Sequence, residues 1–508
     1  MSTVASPHMS GHETRSLQSR ALRAVAWGYG GTFVRMAVQI VAQAVLARLL
    51  GPQEFGVFAA LMLLISVSVL AGDLVSAPLI QAPTLEPAAL RFGCAVQWTG
   101  SAIVALLSLV CLPLFERTFP EATGLGWSLA IVALGIFVTG WSGISLSLLR
   151  RHLRYREIQL AQLLGYVIGY VVVAIPLALV AGMHSHHVLV VAWLVQSLVS
   201  AALQYHWERH ALQASWRFDG RRKFLRYGGE VTVGNVANWL SISVDRLLVA
   251  RQAAAVDIGY YYTMLNLMST PVYQLSSSLN TVAFSLSAQV DAQARRRGTL
   301  VYLNLSMLVF GLFYGLFAAA PEFWVHLLYG PRWTDAAAYL PPFCLLAVGF
   351  GLSAAANAML TSDGKAASSA IGQLLTVAVL AVLVWMAVQH SALWAAWCVG
   401  AVYVLRGLGL AWLALRRVQA GLREMGQVVI IPAVVIGLQV GLARLLIDRL
   451  QLSGLETRLA EVGGCALGLL AALALLWVLR HTLLPSTTLE WLGLAFGRLR
   501  QRIARPRT

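Results

Sequence analysis

The chain has 508 residues, of which 58% are hydrophobic and 11% charged, with a formal net charge of +16. A soluble domain carries roughly 25% charged residues, and a water-exposed chain this apolar would present larger greasy patches than soluble proteins tolerate. An ordinary soluble enzyme, a disordered protein and a secreted disulfide scaffold are therefore excluded; an all-α polytopic membrane protein remains.

Residues 1–24 are polar and carry Arg15, Arg20 and Arg23. A cleaved signal peptide would follow them with a short, purely apolar core. Here the first apolar stretch, 25–47, is long and contains Arg35, Gln39 and Gln43, so it reads as a retained helix. A helix crosses the hydrocarbon core with about 20 mostly apolar residues. By that measure further spans are expected at about 56–80, 92–115, 126–149, 158–181 and 187–206. The second half adds about 228–250, 258–285, 299–321, 339–360, 366–388, 391–415, 427–447 and 462–483, about fourteen in all. The five cysteines, Cys94, Cys111, Cys344, Cys398 and Cys465, sit in these apolar stretches at irregular spacing and read as small buried hydrophobes.

With the N-terminus in the cytoplasm and fourteen spans, most of the 37 Lys and Arg fall on the cytoplasmic side. That bias predicts both termini inside. It also accounts for the net charge without nucleic acid. The basic loops Arg150-Arg151-His152-Leu153-Arg154, Arg221-Arg222-Lys223 and Arg295-Arg296-Arg297 are expected to face anionic membrane lipids. Residues 207–227 interleave Trp216, Phe218 and Phe224 with Arg217, Arg221 and Arg226, the pattern of a helix lying in the interface. The tail at 484–508, with Trp491 beside its arginines, has the same character.

A repeat divides the chain. Ala47-Arg48, then Glu54-Phe55-Gly56, returns at a constant offset as Ala250-Arg251, then Asp257-Ile258-Gly259. Each acid falls where a span begins, where it favours the positive helix N-terminus. Six spans separate the copies, so both halves run in the same direction. The expected organisation is a 1–24 cytoplasmic segment, a six-helix lobe at 25–206, a linker at 207–227 and a second six-helix lobe at 228–415. Two appended helices lie within 416–483 and a tail occupies 484–508. Two pseudo-symmetric lobes enclosing a midplane cleft are a transporter architecture.

Polar residues inside spans are costly and usually face the interior. Here they recur at helical spacing: Thr32, Arg35, Gln39 and Gln43; Gln159, Gln162, Tyr166 and Tyr170; Gln196, Ser200 and Gln204. Asn235, Asn238 and Asp245 follow in span 7, then Asn266, Tyr273 and Asn280 in span 8. Span 11 contributes Gln373 and Thr376. Amides, hydroxyls and tyrosine faces suit a sugar, although small and amide residues also join helices without any substrate. Arg35 is either a ligand for pyrophosphate or another anion, or half of an ion pair with Asp73 or Asp245. Arg406 in span 12 offers the same chemistry, and Lys365, at the cytoplasmic start of span 11, is placed to meet an anionic headgroup. Asp73, Asp245 and Glu230 are the acids in or beside spans; each either carries a coupling ion, H+ or Na+, or neutralises an arginine. No P-loop, His-Glu-x-x-His or Gly-x-Ser-x-Gly motif occurs, so no enzyme and no cofactor are expected. His184, His186 and His187 read as a solvated outer loop rather than a metal site.

Leu50-Gly51-Pro52-Gln53-Glu54-Phe55-Gly56 resembles the Leu-Gly-Pro-x-Glu-Tyr/Phe-Gly signature of bacterial polysaccharide exporters, the Wzx-type flippases of the multidrug/oligosaccharidyl-lipid/polysaccharide (MOP) superfamily. Asp245-Arg246-Leu247-Leu248-Val249, Gly259-Tyr260-Tyr261 and Met359-Leu360-Thr361-Ser362-Asp363-Gly364-Lys365 are similar to further elements of that family. Ala253-Ala254-Ala255 and Thr263-Met264 depart from it and leave the subfamily open. The resemblance implies two six-helix lobes plus two helices around a cationic cavity in the inner membrane. It also implies alternating access that moves a polyprenyl-pyrophosphate-linked oligosaccharide between leaflets for O-antigen, capsule or exopolysaccharide synthesis. Polymerase and chain-length proteins are the partners such a pathway implies. The motifs mark Glu54, Asp245 and Gly259 as structural elements and leave Arg35 unassigned. A drug/ion antiporter of the same superfamily is the nearest alternative, and a membrane enzyme of polysaccharide assembly the next. The deep arginine favours an anionic substrate over a cationic drug, and the short outer loops leave little room for a catalytic domain.

Overall fold

A computed structural model describes residues 11–82, 84–119, 122, 124–180, 182–287, 292–362, 366–452, 456–480, 485 and 488, with backbone alone for 11–29, 70–71, 277–287, 292, 362 and 366–372. Among the described residues the regular structure is helical and contains no strand. The first half comprises α1 (Gly11–Leu50), α2 (Pro52–Gln81), α3 (Pro87–Val110), α4 (Leu112–Thr118), α5 (Leu125–Arg151), α6 (Tyr155–Leu179) and α7 (His187–Trp207). The second comprises α8 (Arg221–Gln252), α9 (Ala255–Ser287), α10 (Ala292–Ala319), α11 (Pro321–Tyr329), α12 (Leu340–Ser362), α13 (Ala366–Val388), α14 (Ala392–Arg417), α15 (Leu422–Leu452) and α16 (Thr457–Val478).

Every expected span falls on a long helix. Among the described residues, eleven helices are long and apolar enough to cross a membrane. The other three, α8, α9 and α13, do not meet that test over their described residues. For α8 the reason is composition: Arg221, Arg222, Lys223, Arg226, Glu230, Asp245, Arg246 and Arg251 share one helix. The chain is thus a multi-span membrane protein. Its lipid-facing surface is correspondingly apolar; Trp127 and Val110 are about three-quarters exposed.

Local sequence sets the joints. Gly51 breaks α1 from α2 with φ +86°, a conformation that side-chain-bearing residues rarely adopt. Pro52 then opens α2, where its missing N–H costs nothing. Two helices contain wide π turns, Val167–Ala174 in α6 and Gly426–Ile430 in α15. Pro176 and Pro432 lie just beyond them. A proline offers no N–H to the carbonyl one turn back and crowds it, so the preceding backbone relaxes into a wider turn.

Two compact units divide between Leu240 and Ser241, inside α8. In the first, α3 packs against α5 and α5 against α2 and α7, around Val75, Leu79, Phe92, Cys94, Ile144, Leu148 and Phe224. In the second, α12 is the central helix, packed against α9, α10 and α14. Its glycines bring backbones together: a Cβ on Gly349 would lie 2.5 Å from the Tyr403 carbonyl, and one on Gly407 would lie 2.6 Å from the Gly349 carbonyl oxygen. Within a bilayer, such close approach replaces the hydrophobic drive that water would supply. The α15–α16 pair joins this unit through Ala319, Ala320, Ala443, Ile447 and Cys465, and Gln439 donates to the Leu312 carbonyl at 3.1 Å.

Three expectations need correction. The linker is not one interfacial helix: residues 208–220 are irregular and docked, with Trp216 and Phe218 against Phe92 at 6.1 and 5.8 Å and Ser215 N–H bonded to the Arg91 carbonyl. Helix resumes at Arg221. Phe218 is half-buried because α3 offers Phe92 as an anchor, while Trp216 stays exposed with its ring edge-on to Phe92. The 150–154 loop is not wholly free for lipid either. Arg151 donates to the Leu79 and Ile80 carbonyls near the end of α2, and Arg154 to the Trp207 carbonyl and to Glu157 and Glu208. Cations belong at helix C-termini, where carbonyls lack partners. Finally, His186 is buried rather than solvated: Glu54 accepts from its backbone N–H at 2.6 Å and lies 2.9 Å from its Nδ1. His187 Nδ1 is 2.9 Å from Ser128 Oγ, so two adjacent histidines tie α7 to α2 and α5. The tail at 489–508 lies outside the described residues.

Candidate functional site

In the first unit, two of the predicted polar stripes meet. Arg35 on α1 donates through Nη1 to Gln162 Oε1 on α6, and the Tyr166 hydroxyl reaches the Gln39 carbonyl at 3.5 Å. Gln43 continues the α1 row, half-buried. Among the described residues, no carboxylate pairs with Arg35. Asp73 instead accepts from Asn235 at 2.9 Å. The Arg35 guanidinium is half-buried, and its Nε–H is buried without a hydrogen-bond partner. A guanidinium held by a neutral amide, with one donor unused, has the donor chemistry that suits an oxyanion. The wide turn in α6 starts directly after Tyr166 and contains Tyr170. These two rings stack at 4.5 Å and are both buried, so their faces serve each other.

The second unit holds a polar cluster of its own. Asp245 on α8 is buried and accepts from the Tyr261 hydroxyl of α9 at 2.7 Å. Arg246, the next residue, turns to another face and lies 5.1 Å from the centre of the Tyr262 ring. The Tyr403 hydroxyl on α14 donates to the Ser241 carbonyl of α8 at 3.5 Å, and its ring lies 6.2 Å from that of Phe350. Phe350 of α12 packs edge-on against Tyr273 at 4.3 Å. Gly349 and Gly407 make this possible, because the close α12–α14 approach fixes the backbone that carries Tyr403 and Arg406. The Nε–H groups of Arg246 and Arg406 are buried without partners, as in Arg35.

The structure thus sets Arg35 and Gln39 of α1 against Gln162 and Tyr166 of α6, Asp245 against Tyr261, and Tyr273 against Phe350. The remaining predicted residues lie apart from these contacts. Asn238 is exposed on α8, Asn266 is half-buried on α9, and Glu230 is exposed and paired with Arg226 at 3.1 Å. Lys365 and the Asn280 side chain lie outside the described residues. Sequence reasoning passed over Arg246 and Tyr403 as site residues. Tyr403 and Arg406 are three apart on one helix, the spacing that puts two side chains on a common face; that signal was available. Among the described residues, no group of three or more His, Cys, Asp or Glu could hold a metal ion.

Comparisons with known proteins agree with this architecture. The polysaccharide biosynthesis protein family matches residues 45–338. The succinoglycan biosynthesis transport protein ExoT of Rhizobium meliloti (strain 1021) is 24% identical over 340 residues, covering 65% of this chain and 66% of the relative. The lipopolysaccharide biosynthesis protein WzxC of Escherichia coli (strain K12) is 20% identical over 344 residues, covering 65% and 68%. Among solved structures, the lipid II flippase MurJ in an inward closed conformation aligns with a TM-score of 0.63 at 13% identity, covering 89% of this chain and 98% of that one. An inward-facing multidrug resistance MATE transporter of the MOP superfamily aligns with a TM-score of 0.54, covering 76% and 98%. The two structural likenesses establish the fold, which flippases and drug transporters share. With more than half of its length matched, the chain belongs to the polysaccharide biosynthesis protein family.

Proposed function

We propose that this chain is a flippase that moves polyprenyl-pyrophosphate-linked oligosaccharide repeat units across the bacterial inner membrane by alternating access, in the synthesis of a cell-surface polysaccharide such as O-antigen, capsule or exopolysaccharide. It performs no covalent chemistry in this reading. A pyrophosphate–sugar headgroup cannot cross hydrocarbon unaided, because its charge and hydroxyls would lose their water. Fixed guanidinium groups and amides replace that hydration, while the lipid tail stays in the bilayer. The observation that carries the reading is Arg35, a cation inside a span whose partner is the neutral Gln162. A structural arginine would be expected beside a carboxylate. The family match and the transport and lipopolysaccharide roles in the names of two relatives support it further.

Both termini lie in the cytoplasm in this reading, consistent with the excess of cations in the expected inner loops. Gln39, Gln43, Asn238, Asn266 and Asn280 supply hydrogen bonds to sugar hydroxyls; Arg406, Tyr273 and Lys365 meet the anionic headgroup. Asp73, Asp245 or Glu230 carries the coupling H+ or Na+. Anionic lipids surround the basic loops, and polymerase and chain-length proteins receive the product. The test is reconstitution in liposomes with a lipid-linked oligosaccharide, comparing intact protein with Arg35→Ala. The expected result is headgroup translocation by the intact protein and its loss in the variant. Equal translocation by both would remove Arg35 from the mechanism. No translocation by the intact protein would reject the flippase reading.

A further inference from the structure

The second unit contains a charged cavity that the flippase reading does not use. It has a volume of about 380 Å³ and lies where α10 and α15 end and α11 and α16 begin. Glu322, Arg444, Asp448, Gln451 and Glu461 form its polar wall, over a floor of Ala319, Ala320 and Ile447. Arg444, Asp448 and Gln451 recur at helical spacing on one face of α15. Glu322 stands in the first turn of α11, and Glu461 about one turn into α16. We infer that this cavity binds the headgroup of a phosphoethanolamine lipid, with the phosphate on Arg444 and the ammonium among Glu322, Asp448 and Glu461.

Size argues against a bare ion. The cavity falls in the range of small-molecule sites, about 300–1,000 Å³, and among the described residues no group of three or more His, Cys, Asp or Glu could hold a metal ion. Charge argues against a purely anionic ligand, because three carboxylates share the wall with one guanidinium. Yet these opposite charges do not neutralise each other. Among the described residues the three carboxylates make no side-chain hydrogen bond or ion pair. Arg444 donates from Nη2 to the Ala318 carbonyl at 2.9 Å, which orients the guanidinium and leaves other N–H groups for a phosphate. A ligand with a cation and an anion a few bonds apart answers both. A primary ammonium brings N–H donors for the carboxylates. A quaternary ammonium brings none and is recognised by aromatic faces; among the described residues no aromatic side chain lines this cavity. Depth selects a lipid over a free solute. Three membrane-crossing helices, α10, α15 and α16, have their ends here, at the level of lipid headgroups. Leu445 follows Arg444 and Val462 follows Glu461; both are about half exposed and offer an apolar path to acyl chains. An exposed ion pair alone contributes little, but here both ends of one zwitterion and its tail are held together. Nothing in the assignment depends on what the protein transports.

The test is native mass spectrometry of the full-length, delipidated protein, titrated with an equimolar mixture of phosphatidylethanolamine, phosphatidylcholine and phosphatidylglycerol that carry the same acyl chains. Phosphatidylethanolamine is expected to be retained over the other two by about tenfold, and Arg444→Gln or Glu461→Gln to lower its retention by about threefold to tenfold. Asp448→Lys places a tethered ammonium among the carboxylates and is expected to abolish the preference. Arg444→Gln also gives up the bond to the Ala318 carbonyl, whereas Glu461→Gln keeps it. The second variant therefore decides the matter if the first fails to fold, as judged by its melting transition. Equal retention of phosphatidylethanolamine and phosphatidylcholine, or a preference that survives both Glu461→Gln and Asp448→Lys, overturns the site. Glycerophosphoethanolamine, the same headgroup without chains, is then added at equal concentration: resistance to it sustains a lipid ligand, and displacement by it overturns the lipid as the source. Translocation in liposomes tests the flippase reading separately; selective retention with no translocation by the intact protein would sustain the site and reject that reading.

Discussion

Arg35 in the first unit and Arg406 in the second present the same unfilled donor in different settings. Arg35 is held by one amide, Gln162, across the seam between α1 and α6. Arg406 sits on a helix pressed against its neighbour at Gly349 and Gly407. The first site is built from side chains that hydrogen-bond, the second from backbones that nearly touch. The first should therefore be sensitive to charge and amide chemistry, and the second to volume.

The largest expected effect comes from removing the first charge. Arg35→Gln eliminates a charged hydrogen-bond donor worth about 3 kcal/mol to a bound anion, on the order of a hundredfold in translocation rate. Protein yield and melting temperature should stay close to the parent, because the lost partner is a single half-buried amide contact. A variant that translocates normally would make the two arginines unequal in kind. Gly407→Val tests the other half. Its new carbons would meet the Gly349 carbonyl at 2.6 Å or less, and overpacking of this sort costs typically about 1–3 kcal/mol. Here the expected loss is in folded, monodisperse protein and in melting temperature, with translocation falling only in proportion.

A subtler change separates geometry from charge. Gln162→Glu keeps the size and reach of the Arg35 partner and supplies the carboxylate that the native site lacks. The resulting ion pair should raise the melting temperature slightly and lower translocation about tenfold, corresponding to about 1.4 kcal/mol of competition for the guanidinium. Gln162→Asn would lose the contact and leave the charge available. If the Glu and Asn variants translocate equally, the neutrality of the partner is irrelevant. Smaller again is the tie at the start of α2. Glu54→Gln retains an acceptor for the His186 donors but loses the charge, for an expected cost of about 1 kcal/mol in thermal stability. Glu54→Ala should cost more, because the buried His186 then has no acceptor at all.

The helical plan was readable from the sequence because its causes are local: apolar length, Gly51-Pro52 at a joint, an acid in the first turn of α2 and of α9. The repeat was readable for the same reason. The stripes on α1 and α6 were visible as helical spacing, although nothing in one sequence said that they face each other. What escaped was set by partners distant in the chain. Phe92 draws Trp216 and Phe218 out of the expected interfacial helix, and Glu54 draws His186 out of solvent across 132 residues. Sequence adjacency makes Arg246 one candidate for the arginine that Asp245 neutralises, yet consecutive helix positions point about 100° apart. Asp245 found Tyr261 and Arg246 found Tyr262, so the pair was divided by helix geometry before charge could join it.

The smallest effect concerns the docked linker and pH. His210 sits against the Tyr205 ring at 5.6 Å, with Cys94 Sγ 4.0 Å from its Nδ1 and its Nε2 buried without a partner. Burial lowers its affinity for a proton below the ordinary histidine value, and only in part do the Ala211 carbonyl and the Glu208 charge oppose this. A histidine whose pKa is lower docked than released favours docking fully above the released value, about 6.5. Its contribution is then lost as pH falls from there toward the lower docked value. Acidification should therefore loosen residues 208–220 while leaving the helices intact. Hydrogen exchange of backbone amides measures this directly: the Ser215 N–H, bonded to the Arg91 carbonyl, should lose protection progressively as pH falls below about 6.5. In His210→Phe, which fills the same slot without a titrating group, that pH dependence should vanish while Arg154 still holds Glu208 at 3.0 Å. Equal loss of protection in both proteins would remove His210 as the cause.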